Sequence, residues 1–162
     1  MSIYSRYRSL SKYKFYTLAL EIRVEVNRLM VQEDAVPKRY RLTNAVPTIE
    51  TARSIVYNIT RADKFYPISP ANVIERRKYL TLAIADCDQL LLDMQCLIDL
   101  GLPGSVSRFE NLVLMIDEEW NLLSGARKNV KLLGKRTVGE RMNDLKDEMA
   151  RLNELVMQDE LE

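Results

Sequence analysis

Histidine is absent from this chain of 162 residues, and that one absence removes much chemistry. Without imidazole there is no commonest general base, no usual zinc or di-iron ligand set, and no Ser-His or Cys-His nucleophile pair. Cysteine is nearly as scarce. Cys87 and Cys96 are the only two, and they fall nine apart on what reads as one helix. At about 100° per residue they point to roughly opposite faces, so they do not bridge to each other. Two buried, reduced thiols are expected. With only 5 Gly and 5 Pro, few positions break a helix, which favours long helices over many short strands. No apolar run approaches the about 18 to 20 residues of a membrane span. The sequence opens without the apolar stretch and small-residue cleavage site of a secretory signal. A cytoplasmic protein is therefore expected, with no membrane partner.

What is present is ordinary for a globular fold: 47% hydrophobic and 29% charged residues, too apolar for disorder and long enough to bury a core as one domain. The net charge of +1 hides a polarised distribution. Residues 1–78 hold 15 Lys/Arg against 7 Asp/Glu, and residues 79–162 hold 9 against 16. Net +8 and net −7 suggest an anionic partner at one surface or charge-complementary packing between subunits. Mutual neutralisation of the halves within one fold is the plainer alternative.

Hydrophobic spacing defines the elements. Phe15, Leu18, Ile22, Val26, Leu29 and Met30 recur at steps of three and four, predicting a first helix over residues 12–33 that ends at Ala35-Val36-Pro37. Ile49, Ala52, Val56 and Ile59 predict a second helix that stops before Tyr66-Pro67. Its start is open, because Pro47 suits a first turn while residues 38–42 suit an earlier one. Ser69 as cap and Pro70 at the first helical position begin a third helix. Its seam is Val73, Leu80, Ile84, Cys87, Leu91, Met94 and Ile98, widened by Leu90 and Leu97, and Gly101 ends it. Ser107 and Glu110 have capping-box spacing for a fourth. Phe109, Leu112, Val113, Ile116, Trp120 and Leu123 supply its stripe, weakened at Ser124-Gly125. Short connections imply antiparallel neighbours.

The expected fold is thus all-α: an antiparallel up-down-up-down four-helix bundle over residues 12–128. A basic, aromatic segment precedes it at residues 1–11. A basic linker and an additional C-terminal amphipathic, coiled-coil helix follow over residues 129–162. In that last helix Val138, Met142, Leu145, Met149, Leu152 and Val156 step by 4, 3, 4, 3 and 4, a seam of fewer than three heptads and too short to stand alone in water. It has to lie on the bundle, pair with another subunit or dock on a partner. Its methionines suit an adaptable surface and equally an ordinary core.

Two stretches carry cations without acids. In the first, Tyr4, Arg6, Tyr7, Arg8, Lys12, Tyr13 and Lys14 interleave aromatic rings with positive charge. Bases stack on the rings while Lys and Arg neutralise phosphates; a solvated tail whose later tyrosines belong to the first helix is the alternative. The second holds Arg127, Lys128, Lys131, Lys135 and Arg136, which also complement a helix C-terminus. Lys38, Arg39 and Arg41, with Arg76, Arg77 and Lys78, extend a nucleic-acid-binding patch if their helix ends lie together. Carboxylates invite a catalytic reading, with Asp86 and Asp93 seven apart and Asp117-Glu118-Glu119 consecutive. A di-metal bundle needs histidines as well, and consecutive acids do not all face one site. Solvated faces or salt bridges are expected for them, and neither an enzyme, a metal site nor a cofactor.

Four stretches together resemble a known family. They are Pro37-Lys38-Arg39-Tyr40-Arg41; Asn58-Ile59-Thr60-Arg61-Ala62-Asp63; Glu75-Arg76-Arg77-Lys78-Tyr79-Leu80 with Ala83 and Leu90-Leu91; and Ile116-Asp117-Glu118 with Leu122-Leu123-Ser124-Gly125. In order they resemble the basic-aromatic connection, the N-I-x-R-A-N ending of helix two, the third helix and the L-D-E-I-G-x-x-L-G-G-W ending of helix four. These belong to the bacterial four-helix-bundle proteins that include the accessory variability determinant (Avd) of diversity-generating retroelements and the proteins encoded in 23S rRNA intervening sequences. The resemblance spans about residues 12–128. Ser124 stands for the first glycine of the family pair, Ala126 for a common tryptophan, and the C-terminal helix lies outside the pattern.

The resemblance implies a homopentameric ring without an active site. That ring serves as a platform for a reverse transcriptase and a structured template RNA during mutagenic cDNA synthesis. The alternative function is a protein-binding adaptor that acts through the acidic half and the C-terminal helix, without nucleic acid.

Overall fold

The computed structural model describes residues 13–102, 107–133, 142–143 and 145–152. Tyr4, Arg6, Tyr7, Arg8, Lys12, Lys135, Arg136, Val138 and Val156 lie outside the described residues. Among the described residues the chain is helical, with no strand. Helix α1 spans Lys14–Val31. A short α2, Lys38–Tyr40, passes through a π-helical turn at Arg41–Ala45 into α3, Val46–Lys64; α4 spans Pro70–Asp99 and α5 Ser107–Lys128. Residues 142–143 and 145–152 are helical too. No helix among the described residues is long and apolar enough to cross a membrane.

The four long helices contact one another in a closed circuit, α1 to α3, α3 to α4, α4 to α5 and α5 back to α1. The first stripe behaves as its spacing predicts. Phe15, Leu18, Ile22, Val26, Leu29 and Met30 are all buried, Ile22 and Val26 completely. Fully burying each such side chain contributes about 1.5–3 kcal/mol. Opposite them lie Ile55 and Ile59 of α3, Leu80, Leu90 and Leu97 of α4, and Phe109, Leu112, Ile116 and Leu123 of α5.

The open start of the second helix resolves in favour of both options. The chain is helical from Lys38 and continues through Pro47. Proline has no N–H to donate, and its ring crowds the carbonyl four residues back. The wider π turn at Arg41–Ala45, just before it, accommodates that misfit. At the start of α4 the local signals hold in full: Ser69 accepts the Asn72 N–H at 3.2 Å, with Pro70 in the first turn. At its end Gly101 adopts φ 65°. The Leu102 N–H reaches the Leu97 carbonyl at 3.1 Å and the Gly101 N–H that of Ile98 at 2.8 Å, a Schellman closure.

Several expectations need correction. Cys87 is buried but Cys96 is exposed. On α4, Leu90 and Leu97 sit at the centre of the seam with no exposure, while Val73, Leu91 and Ile98 are only partly buried. On α5 the inward position belongs to Glu119, with no exposure, and Trp120 keeps 37%. The helix also passes through Ser124-Gly125 and ends at Lys128. Tertiary packing of Leu123 and Val130, both buried, overrides the low local propensity there.

Candidate nucleic-acid interface

The α3–α4 connection sets up one end of the molecule. Proline at 67 halts the helix, and the Pro67 carbonyl accepts the N–H of Leu133 at 2.7 Å. Two turns into α4, Arg77 donates to the Val130 carbonyl at 2.7 Å, and Arg127 donates to the Thr81 hydroxyl at 3.4 Å. These bonds hold the segment after α5 against the beginning of α4. From the other side Lys14, at the start of α1, pairs with Glu118 of α5. The hydrogen bond to Glu118, and next its negative charge, raise the Lys14 pKa above the ordinary lysine value. Lys14, Arg76, Arg77, Lys78, Arg127, Lys128 and Lys131 thus gather at one end from α1, α4, α5 and the segment after α5.

Their engagement differs. Arg76 is mostly buried, bonded to Asp63 at 3.0 Å and to the Ala62 carbonyl at 3.3 Å, so it closes the end of α3. Lys78 pairs with Glu75 one turn away and lies 5.7 Å from the Tyr79 ring. Lys128 and Lys131 are exposed and form no ion pair with the described residues. Between the elements lies a cleft of about 760 Å³, within the usual range of ligand pockets. Tyr13, Lys14, Tyr66, Arg76, Asn121, Asn129 and Lys131 stand around an aliphatic floor that includes Leu80, Leu122 and Val130. Tyr13 is 58% and Tyr66 61% exposed. Sequence reasoning named Tyr13 and the cations but missed Tyr66, Asn121, Asn129 and Gly125, which only the juxtaposition of α1, α4 and α5 brings to the cleft.

Lys38, Arg39 and Arg41 do not join this cluster. Arg41 donates to the Val31 carbonyl at 2.9 Å and to Glu33 at 3.0 Å, closing the end of α1. Arg39 lies 4.7 Å over its neighbour Tyr40. Arg41 precedes the start of α3, whereas Arg76 contacts the far end of that helix at Ala62. At 1.5 Å rise per residue the two groups stand roughly 24 Å apart. The cations form two separate patches.

The motif residues are largely structural. Asn58 is buried and donates to Asp86 at 2.7 Å, and Ser54 donates to the same carboxylate oxygen at 2.7 Å. Thr51 donates to Asp93 at 2.9 Å. Asp86 and Asp93 therefore tie α4 to α3. Arg61 lies 4.1 Å over Tyr57 and 5.5 Å over Tyr79, and Phe65 stacks on Tyr79 at 5.6 Å. Among the described residues, no three Cys, Asp or Glu side chains gather as metal ligands would.

Glu119, expected with its neighbours on a solvated face or in a salt bridge, is instead fully buried. Both carboxyl oxygens are buried and without a hydrogen-bond partner. Desolvation first, and then the negative charge of Glu118, push its pKa up to about 8. Burial chiefly, then the charges of Glu119, Asp86 and Asp88, drive the Cys87 thiol upward as well, so it is not a poised nucleophile.

The C-terminal seam is uncovered where it is described: Met142, Leu145, Met149 and Leu152 are 52%, 47%, 64% and 54% exposed. Leu145 and Leu152 face Pro70, Ala71 and Ile74 of α4 across a second groove. No family model and no curated protein matches the chain.

Proposed function

We propose that this chain is a non-catalytic, RNA-binding accessory protein. By its resemblance to the Avd group, it would serve as an oligomeric platform for a reverse transcriptase and its template RNA in the cytoplasm. The observation that carries the reading is the convergence of Lys14, Arg77, Arg127, Lys128 and Lys131 at one end, beside the exposed rings of Tyr13 and Tyr66. Cations that neutralise phosphates and aromatic rings that stack bases are the elements of such a surface. We read the four long helices as an antiparallel up-down-up-down bundle. In support, the start of α4 lies beside both the end of α3 and the segment after α5. The pentameric ring is carried over from the resemblance alone.

Filter binding of the purified protein to a structured RNA across a salt series tests the proposal. Affinity that falls steeply with salt is expected, and no affinity even at low salt removes the RNA role. A second reading, of a protein-binding adaptor, is favoured by the uncovered Met142, Leu145, Met149 and Leu152 stripe. Deletion of residues 137–162 separates the two. Loss of oligomerisation and partner capture, in a protein that never bound RNA, supports the adaptor.

A further inference from the structure

We infer that the cleft between α1, α4 and α5 receives a single unpaired nucleotide of the RNA, with its base inside and its phosphate at the rim. This rests on the RNA-binding reading and assigns one part of that surface a distinct task. Three observations meet here. The floor is aliphatic, formed by residues including Leu80, Leu122, Ala126 and Val130, and the exposed rings of Tyr13 and Tyr66 border it. A base is a flat body that such a surface desolvates and stacks.

The rim carries Lys131, which has no ion pair among the described residues, and Lys14, which among those same residues pairs with the exposed Glu118. Asn121 and Asn129 add amides that both donate and accept, as the polar edge of a base requires. Arg76 is committed to Asp63 and the Ala62 carbonyl; it adds positive potential and positions the wall.

The third observation is Gly125. It lies inside α5 on the cleft wall, and a Cβ built there meets nothing within 4 Å. Helices disfavour glycine, and no neighbouring atom requires it here. The helix bears an unfavourable residue that keeps the cleft open. That same fact supplies a test, because a larger side chain at 125 starts from open space on the cleft wall and takes up room there.

Fluorescence anisotropy on the full-length chain compares two labelled RNAs at matched ionic strength: a single-stranded twelve-nucleotide oligoadenylate and a blunt hairpin of similar phosphate count whose loop is a polyether linker without bases. Free AMP is a competitor. In Gly125→Leu, with its thermal transition at or above that of the parent, affinity for the oligoadenylate falls about tenfold and affinity for the hairpin stays within twofold. Tyr66→Ala, at an exposed position, gives the same split without touching the core. Millimolar AMP displaces the oligoadenylate from the parent and not from Gly125→Leu.

Undiminished oligoadenylate binding by both folded variants overturns the inference and leaves the basic surface standing. Equal loss for both RNAs also overturns it, since the cleft then shows no preference for unpaired bases. A parent that binds neither RNA at low salt overturns the functional proposal itself.

Discussion

Replacing Glu119 by Gln isolates the energetic cost of an acid in the core. Its side chain has no exposure and no hydrogen-bond partner, so only the neutral form is tolerated there. The folded-state pKa of about 8 stands above the ordinary 4.5. Between those two values the folded protein holds a proton that the unfolded chain has released. Stability therefore falls as pH rises through that window, and levels off above about 8. At about 1.4 kcal/mol per unit of pH, the full span gives a ceiling of about 5 kcal/mol. That is a large share of the about 5–15 kcal/mol that holds a typical domain together.

Gln has nearly the same shape and never ionises. Urea denaturation of parent and Glu119→Gln at pH 5, 7 and 9 reads the difference directly. The two are expected to be similar near pH 5, with the variant ahead by about 3 kcal/mol at pH 7 and more at pH 9. Contributions from all other acids cancel in the comparison. Parallel stability curves across that range would refute the reasoning, because they mean that the Glu119 carboxyl finds water or a partner.

The remaining expectations are smaller and separately checkable. Ser69→Ala removes the cap on the Asn72 N–H and lowers stability by about 1 kcal/mol in a denaturant titration. Asp86→Ala strands the Ser54 hydroxyl and the buried Asn58 amide, costing about 3 kcal/mol by the same measurement. Gly101→Ala forces a Cβ into a left-handed turn at φ 65°, and its midpoint falls by the equivalent of about 1 kcal/mol. Gly125→Ala, with open space around the added methyl, gains about 0.5–1 kcal/mol in thermal melting.

How far the fold was legible depended on how local each signal is. Ser69-Pro70 begins α4 as expected because cap and proline act within one turn. Ile22 and Val26 face inward as expected because their stripe has no competing phase. On α5 the stripe reached Ile116 and then had two continuations, 119 or 120, which differ by about 100° around the axis. Hydrophobicity selects Trp120, yet the packing of α5 against α1 and α4 turns Glu119 inward. Nothing within one turn of the sequence signals that.

The candidate interface was legible as charge and not as availability. Lys14 and Arg76 read alike in the sequence. Their partners, Glu118 and Asp63, lie 104 and 13 residues away and emerge only from folding. Likewise, the two cationic groups at residues 38–41 and 76–78 looked joinable until α3 separated them along its length.

The carboxylates of Asp86 and Asp93 have a consequence for how α3 and α4 are allowed to slide. They stand two turns apart, one held by Ser54 and Asn58, the other by Thr51. Displacing α3 by a single turn trades apolar contacts for similar ones, but it breaks the present match of three donors to two acids. The greasy faces glue the pair together indifferently to alignment, and the two acids act as the notches that select one setting.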